Sequence, residues 1–165
     1  MLITVFLAIV FCAAITLMLL SAVAFIQEKK FFSSAPKEAR EVLIQRDNEL
    51  FYGARTIGWT LMVFSVLMIL GVGAVSIRDG FRNDFTFRQF FTRFVTILTI
   101  YKLYDMICFD YFLLMKFHFF QYYYPEVKGV YPLKKYGYNM KSQLLKLLVI
   151  FPAVSALAAW ICSLF

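Results

Sequence analysis

The fold class that the sequence predicts is an all-α membrane protein, a four-transmembrane-helix bundle with one long charged third helix. Three observations predict it. First, 62% of the 165 residues are apolar and 16% are charged, with a mean hydropathy of +0.73, where a soluble domain carries about 25% charge. Second, three long stretches contain no charged residue at all. Third, a further stretch of spanning length, free of Gly and Pro from Phe81 to Tyr124, holds charges near its middle. This composition excludes a disordered chain, a disulfide-stapled miniprotein and a polar enzyme domain. One membrane domain, residues 1–165, is expected.

The first span covers residues 2–26. At 1.5 Å per residue it reaches roughly 37 Å, enough to cross a hydrocarbon core of about 30 Å with tilt. Ala22-Val23-Ala24 has the small-x-small form of a leader cleavage site, but no basic segment precedes the run, and the run is longer than a leader's apolar region. A polar loop, residues 27–55, follows. Within it, apolar Ala39, Val42, Leu43 and Leu50 suggest a helix lying at the membrane surface or serving as a solvated linker.

The second span, residues 57–77, has Trp59 near one end and Arg78-Asp79 at the other, residue types that mark the interface. Its Gly71-Val72-Gly73-Ala74 segment superficially has a nucleotide-loop spacing, yet no strand precedes it, so close helix packing by small residues is the expectation. The fourth span, residues 145–165, has Pro152 in its first turns, where a bend or local break is expected. Its Ala153, Ser155, Ala156, Ala158 and Ala159 offer a surface for close approach. Cys162 begins a C-a-a-X match, but with no basic tract or polar spacer beside it prenylation is not expected.

The third span, residues 92–120, is the informative one. A capping box of Thr86 and Gln89, or a cap at Asn83 or Asp84, starts its helix. Lys102, Asp105 and Asp110 lie within the part that crosses, at an insertion cost on the order of 8 to 10 kcal/mol against about 4 to 8 kcal/mol from its Leu, Ile, Val and Phe residues. It inserts poorly alone, so the expectation is that it inserts beside the uncharged helices; the alternative is that it lies along the interface, which leaves three spans and inverts the orientation. Lys102 and Asp105, three residues apart, can pair on one face. At 100° per residue Thr92, Thr96, Thr99, Asp110 and Gln121 form a polar stripe.

Charge sets the expected orientation. The net charge is +7. The 27–55 loop and the third loop, residues 121–144 with the adjoining Lys116 and Lys146, hold twelve Lys and Arg against four (Arg78, Arg82, Arg88, Arg93) in the second. The positive-inside rule then puts the first and third loops in the cytoplasm and both termini outside an inner cell membrane.

Two candidate sites follow. The intramembrane one comprises Lys102, Asp105, Asp110 and Thr99: carboxylates at this depth face the bundle or a water-filled cavity, and Asp110, with no basic neighbour at helical spacing, is a candidate proton or cation carrier. The other lies at the cytoplasmic mouth, where His118, Gln121 and Glu126 precede a basic, tyrosine-rich segment. Lys128, Lys134, Lys135 and Lys141 suit anionic lipid there. His118 and Glu126 have the chemistry of a base and an acid acting on a lipid phosphate, without a diagnostic spacing.

No cofactor or metal is expected, because Cys12, Cys108 and Cys162 lie in apolar stretches and His118 is the single histidine. The expected partners are the lipid bilayer and either further copies of the chain or a larger membrane protein. Nucleic acid is not expected, because the membrane explains both the lysines and the aromatics. The leading functional expectation is a membrane-embedded binding or accessory subunit. The alternatives are a proton- or cation-coupled small transporter using Asp110 and Asp105, and a membrane lipid-modifying enzyme using His118 and Glu126.

Overall fold

The structure, a computed structural model, describes residues 2–32, 37–44, 46, 49–129 and 140–164. It is all-helical, with 85% helix and no strand among the described residues.

Helix α1 runs Leu2–Leu20 and continues through wide, π-helical turns at Ser21–Ile26. It ends at Gln27, whose backbone is left-handed (φ 57°) and whose N–H donates to the Ala22 carbonyl five residues back at 3.0 Å. Helix α2, Lys37–Val42, is short. Ala39 and Leu43 are buried while Val42 and Leu50 are exposed, so only part of the apolar pattern in this loop faces inward.

Helix α3, Ala54–Arg82, overruns the uncharged stretch at both ends. Charge marks the edge of an apolar run, whereas a helix stops where backbone geometry changes. Here it stops in a Schellman turn: Asp84 takes φ 49°, its N–H donates to the Phe81 carbonyl at 3.3 Å, and the Phe85 N–H donates to the Gly80 carbonyl at 3.0 Å.

Helix α4, Phe87–Tyr104, begins with the expected capping box, in which the Gln89 side chain accepts from the Thr86 N–H at 2.8 Å. It continues through twelve residues of wide turns, Asp105–Lys116, and ends where the Phe117 N–H reaches the Phe112 carbonyl and His118 turns left-handed at φ 50°. The third helix is therefore broken before residue 120. A short helix α5, Phe119–Tyr123, resumes beyond it. Helix α6 comprises Met140–Leu145, wide turns at Lys146–Ile150, and Phe151–Cys162. The widened turns lie directly before Pro152. Proline supplies no N–H and crowds the carbonyl four residues back, and a five-residue hydrogen-bond step relieves that crowding without ending the helix.

Helices α1, α3 and α6 contain the stretches long and apolar enough to cross a membrane: Leu2–Ile26, Ala54–Arg82 and Ser142–Cys162. Side-chain contacts fix how α4 lies among them. Leu7 packs with Ile97, Phe11 meets Tyr101 edge-on at 5.2 Å, and Thr16 bonds Tyr104 at 2.9 Å, so α1 and α4 run parallel. Leu7 packs with Val72 and Ile26 with Met62, so α3 runs opposite to α1. Phe90 packs with Ala159 and Cys162, Tyr101 lies 6.3 Å from Phe151, and Gln143 bonds Asp110, so α6 runs opposite to α4. The charged helix is thus flanked by α1 and α6.

The two ends of the bundle differ. At one end the turn between α3 and α4 packs against Cys162. At the other, Val23, Leu43, Tyr124 and Val127 form a core that joins the first loop to the segment after α5. Close approach occurs at Gly58, where a Cβ would strike Phe25 and Ile26, and at Gly80, where it would strike Phe90. The packing expected of the Gly71 to Ala74 segment is not at its glycines, since a Cβ at Gly71 or Gly73 would meet nothing within 4 Å.

Candidate functional site

Lys102 sits on the last regular turn of α4 and is buried, and it forms an ion pair with Asp105 on the next turn. The three-residue spacing places both on one face, and a buried ammonium without such a partner would carry its full desolvation cost. Thr99, half-buried, lies on the turn before. Beside the pair, the Tyr104 hydroxyl shares its hydrogen bond with Thr16 of α1, whose own hydroxyl also reaches the Cys12 carbonyl at 2.8 Å.

Asp110 belongs to the wide turns. Its carboxylate accepts a hydrogen bond of 2.8 Å from the Gln143 amide on α6, near the start of that helix's apolar stretch. The Asp110 contact therefore lies toward the loop end of the bundle, while Lys102 and Asp105 lie near the middle of α1. The 100° stripe does not survive beyond Tyr104. Turns closed by five-residue steps advance less per residue than an α-helix, so Asp110 leaves the line of the threonines. Thr92 is exposed and bonds its own Arg88 carbonyl at 2.8 Å.

At the mouth, Glu126 and Gln121 are engaged with other parts of the chain. His118 is exposed, and among the described residues it forms no ion pair with Glu126. Glu126 instead accepts from Arg46 at 3.2 Å and from the Ile44 N–H at 3.5 Å, tying the two loops together. Arg46 also lies 5.2 Å from the ring centre of Tyr124. Burial pushes the Tyr124 phenol well above the ordinary tyrosine range despite that guanidinium. Gln121 is buried and bridges the helix break, its amide donating to the Leu114 carbonyl at 3.5 Å. Lys128 is exposed. Lys134 and Lys135 lie outside the described residues, as does the side chain of Lys141.

No family model, curated protein or solved structure matches the chain.

The chemistry of the site is therefore that of its own side chains: one closed ion pair, one carboxylate held by an amide, and hydroxyls that link helices. Among the described residues, no group of three His, Cys, Asp or Glu is placed to hold a metal ion.

One buried charged group was absent from the sequence expectations. Arg93, counted above as a loop cation, is buried between α3 and α4, where it pairs with Asp79 at 2.7 Å, donates to the Ser76 carbonyl at 3.1 Å and lies 4.3 Å from the ring centre of Phe85. The available signal was the hairpin itself. Asp79 and Arg93 stand on either side of the turn at 83–86, and a tight antiparallel turn brings such positions level.

Proposed function

We propose that the protein is a four-span helical bundle embedded in a cell membrane, working as a binding or accessory subunit of a larger membrane assembly. The observation that carries this reading is how the charges of α4 are used. Lys102 is paired with Asp105, and Asp110 is held by Gln143, so these groups join turns and helices within the chain. The helix that bears them runs alongside α1 and antiparallel to α6, over the same height as both. Outward, the molecule is apolar: only 28%, 22% and 11% of the apolar stretches of α1, α3 and α6 are buried within the chain. Lipid and partner helices are what such faces meet. The first and third loops meet at one end, through Glu126 and Arg46, which accords with both lying on one side of the membrane; the charge count assigns that side to the cytoplasm.

The test is the mass of the full chain after extraction in mild detergent, with light scattering to subtract the micelle. A defined oligomer, or a stoichiometric membrane partner, is expected. A strictly monomeric protein that co-purifies with nothing contradicts the reading.

A second reading, a proton- or cation-coupled transporter, is favoured by one contact. The Gln143 amide can donate to an ionised Asp110 or, turned over, accept from a protonated one, and its oxygen is buried without a hydrogen-bond partner among the described residues. It predicts that Asp110→Asn abolishes pH-dependent flux in reconstituted vesicles while membrane insertion is retained. Unchanged flux dismisses it.

A further inference from the structure

The wide turns that follow α4 end in an exposed aromatic step. The Phe117 N–H donates to the Phe112 carbonyl at 2.8 Å, closing the last of these turns, and the two rings stack with their centres 6.1 Å apart. Tyr111 lies edge-on to Phe112 at 5.2 Å. His118 then turns left-handed, so the helix does not continue over these rings. Phe117 is 67% exposed, and Tyr111 and Phe112 are exposed with it. Lys116 completes the step. Its ammonium is 5.9 Å from the centre of the Phe112 ring, within cation–π range, and the residue is exposed.

Depth and charge together define what this step meets. Asp110 bonds Gln143, one residue inside the apolar stretch of α6 that starts at Ser142. Residues 111–117 follow Asp110 toward the loops and so lie at the edge of the apolar layer, where tyrosine rings and the ammonium ends of lysines gather. The acids of this region are already engaged. From Asp105 to Phe165 the sequence holds three, Asp105, Asp110 and Glu126. Asp105 is paired with Lys102, Asp110 is held by Gln143, and Glu126 is paired with Arg46. Lys116 forms no ion pair among the described residues, and neither does the exposed Lys128. An unneutralised ammonium seated on exposed rings at this depth is complementary to one partner, a lipid whose acyl chain meets the rings and whose phosphate headgroup carries net negative charge.

We propose that this step binds an anionic glycerophospholipid of the leaflet at the loop end, with its phosphate on Lys116 and its upper acyl chain against Phe112 and Phe117. The site rests on the embedding proposed above and is independent of the assembly role.

Quenching of a single tryptophan by brominated lipid tests it. The chain has two tryptophans, Trp59 and Trp160. W59F/W160F/F117W puts the sole reporter in the step, and W59F alone leaves Trp160, in the apolar stretch of α6, to report embedding. The full chain is reconstituted in phosphatidylcholine vesicles containing either brominated phosphatidylglycerol or brominated phosphatidylcholine. The expected result is that the anionic lipid quenches the reporter at position 117 at an about fivefold lower mole fraction. K116Q is expected to remove the difference, and R88Q, at the opposite end of α4, to leave it. Equal quenching by the two lipids, a preference that survives K116Q, or one lost equally in R88Q overturns the site, while quenching of Trp160 by brominated phosphatidylcholine keeps the embedding. If brominated phosphatidylcholine does not quench Trp160, the embedding fails and the site falls with it.

Discussion

Lys102 is the residue at which charge and environment conflict most, because its ammonium is buried within the bundle. Its pairing with Asp105 resolves the conflict locally, and that pairing was legible, since two residues three apart on a helix share a face whatever else the chain does. Removing one member leaves the other uncompensated. Lys102→Met is expected to lower stability by about 3 to 5 kcal/mol, and K102M/D105L to recover most of the loss. The denaturation midpoint of the full chain in detergent reads both, and a loss in the double variant equal to the sum of the losses in K102M and D105L alone would show that the pair is not coupled. The partner of Asp110 was not legible in the same way, because Gln143 reaches it from another helix and only tertiary alignment brings them close, whereas the Arg93–Asp79 pair was signalled only by the hairpin between α3 and α4. His118 offers a sharper contrast. Its left-handed backbone favours glycine, so His118→Gly is expected to raise stability by about 1 kcal/mol and to leave the lipid composition of the producing cell unchanged. A stabilised variant with an altered lipid profile would make His118 a catalytic residue.

At the level of helices, hydropathy located three of the long elements but not their ends, which are set by backbone events that hydropathy does not register. The Schellman turn at Asp84, the left-handed Gln27 and His118, and the wide turns before Pro152 are of this kind. Of these, Pro152 alone announced itself in the sequence. The wide turns of Asp105–Lys116 did not, and they are why a helical wheel failed for Asp110 and Gln121. Glycines show the same limit. The segment with the most conspicuous small residues, Gly71 to Ala74, presents two glycines to open space, while isolated Gly58 and Gly80 are where helices touch. Gly80→Ala forces Phe90 to move and is expected to cost about 1 to 3 kcal/mol. Gly73→Ala gains helix propensity and is expected to be neutral or stabilising by up to about 1 kcal/mol. Thermal unfolding of the two variants side by side checks the order, and a reversal would place the close contact on the wrong face of α3.

Over the whole molecule, a low charge fraction conceals a division of labour. Helices α1, α3 and α6 supply apolar surface, and α4 supplies polar contacts that join it to α1, α3 and α6. At the loop end, Arg46 and Glu126 fasten the first loop to the segment after α5, so Glu126→Gln is expected to loosen that joint and speed protease cleavage between Glu28 and Gly53. Cleavage at an unchanged rate would mean that the buried Val23, Leu43, Tyr124 and Val127 hold the loops without it. The central claim is that α4, despite its charges, crosses the membrane as the third of four spans. Side-specific labelling of single cysteines in a cysteine-free background tests it most directly, with Asp84→Cys before α4 and Lys128→Cys after it. Labelling of the two from opposite sides of sealed vesicles is the predicted result; labelling of both from the same side would contradict it.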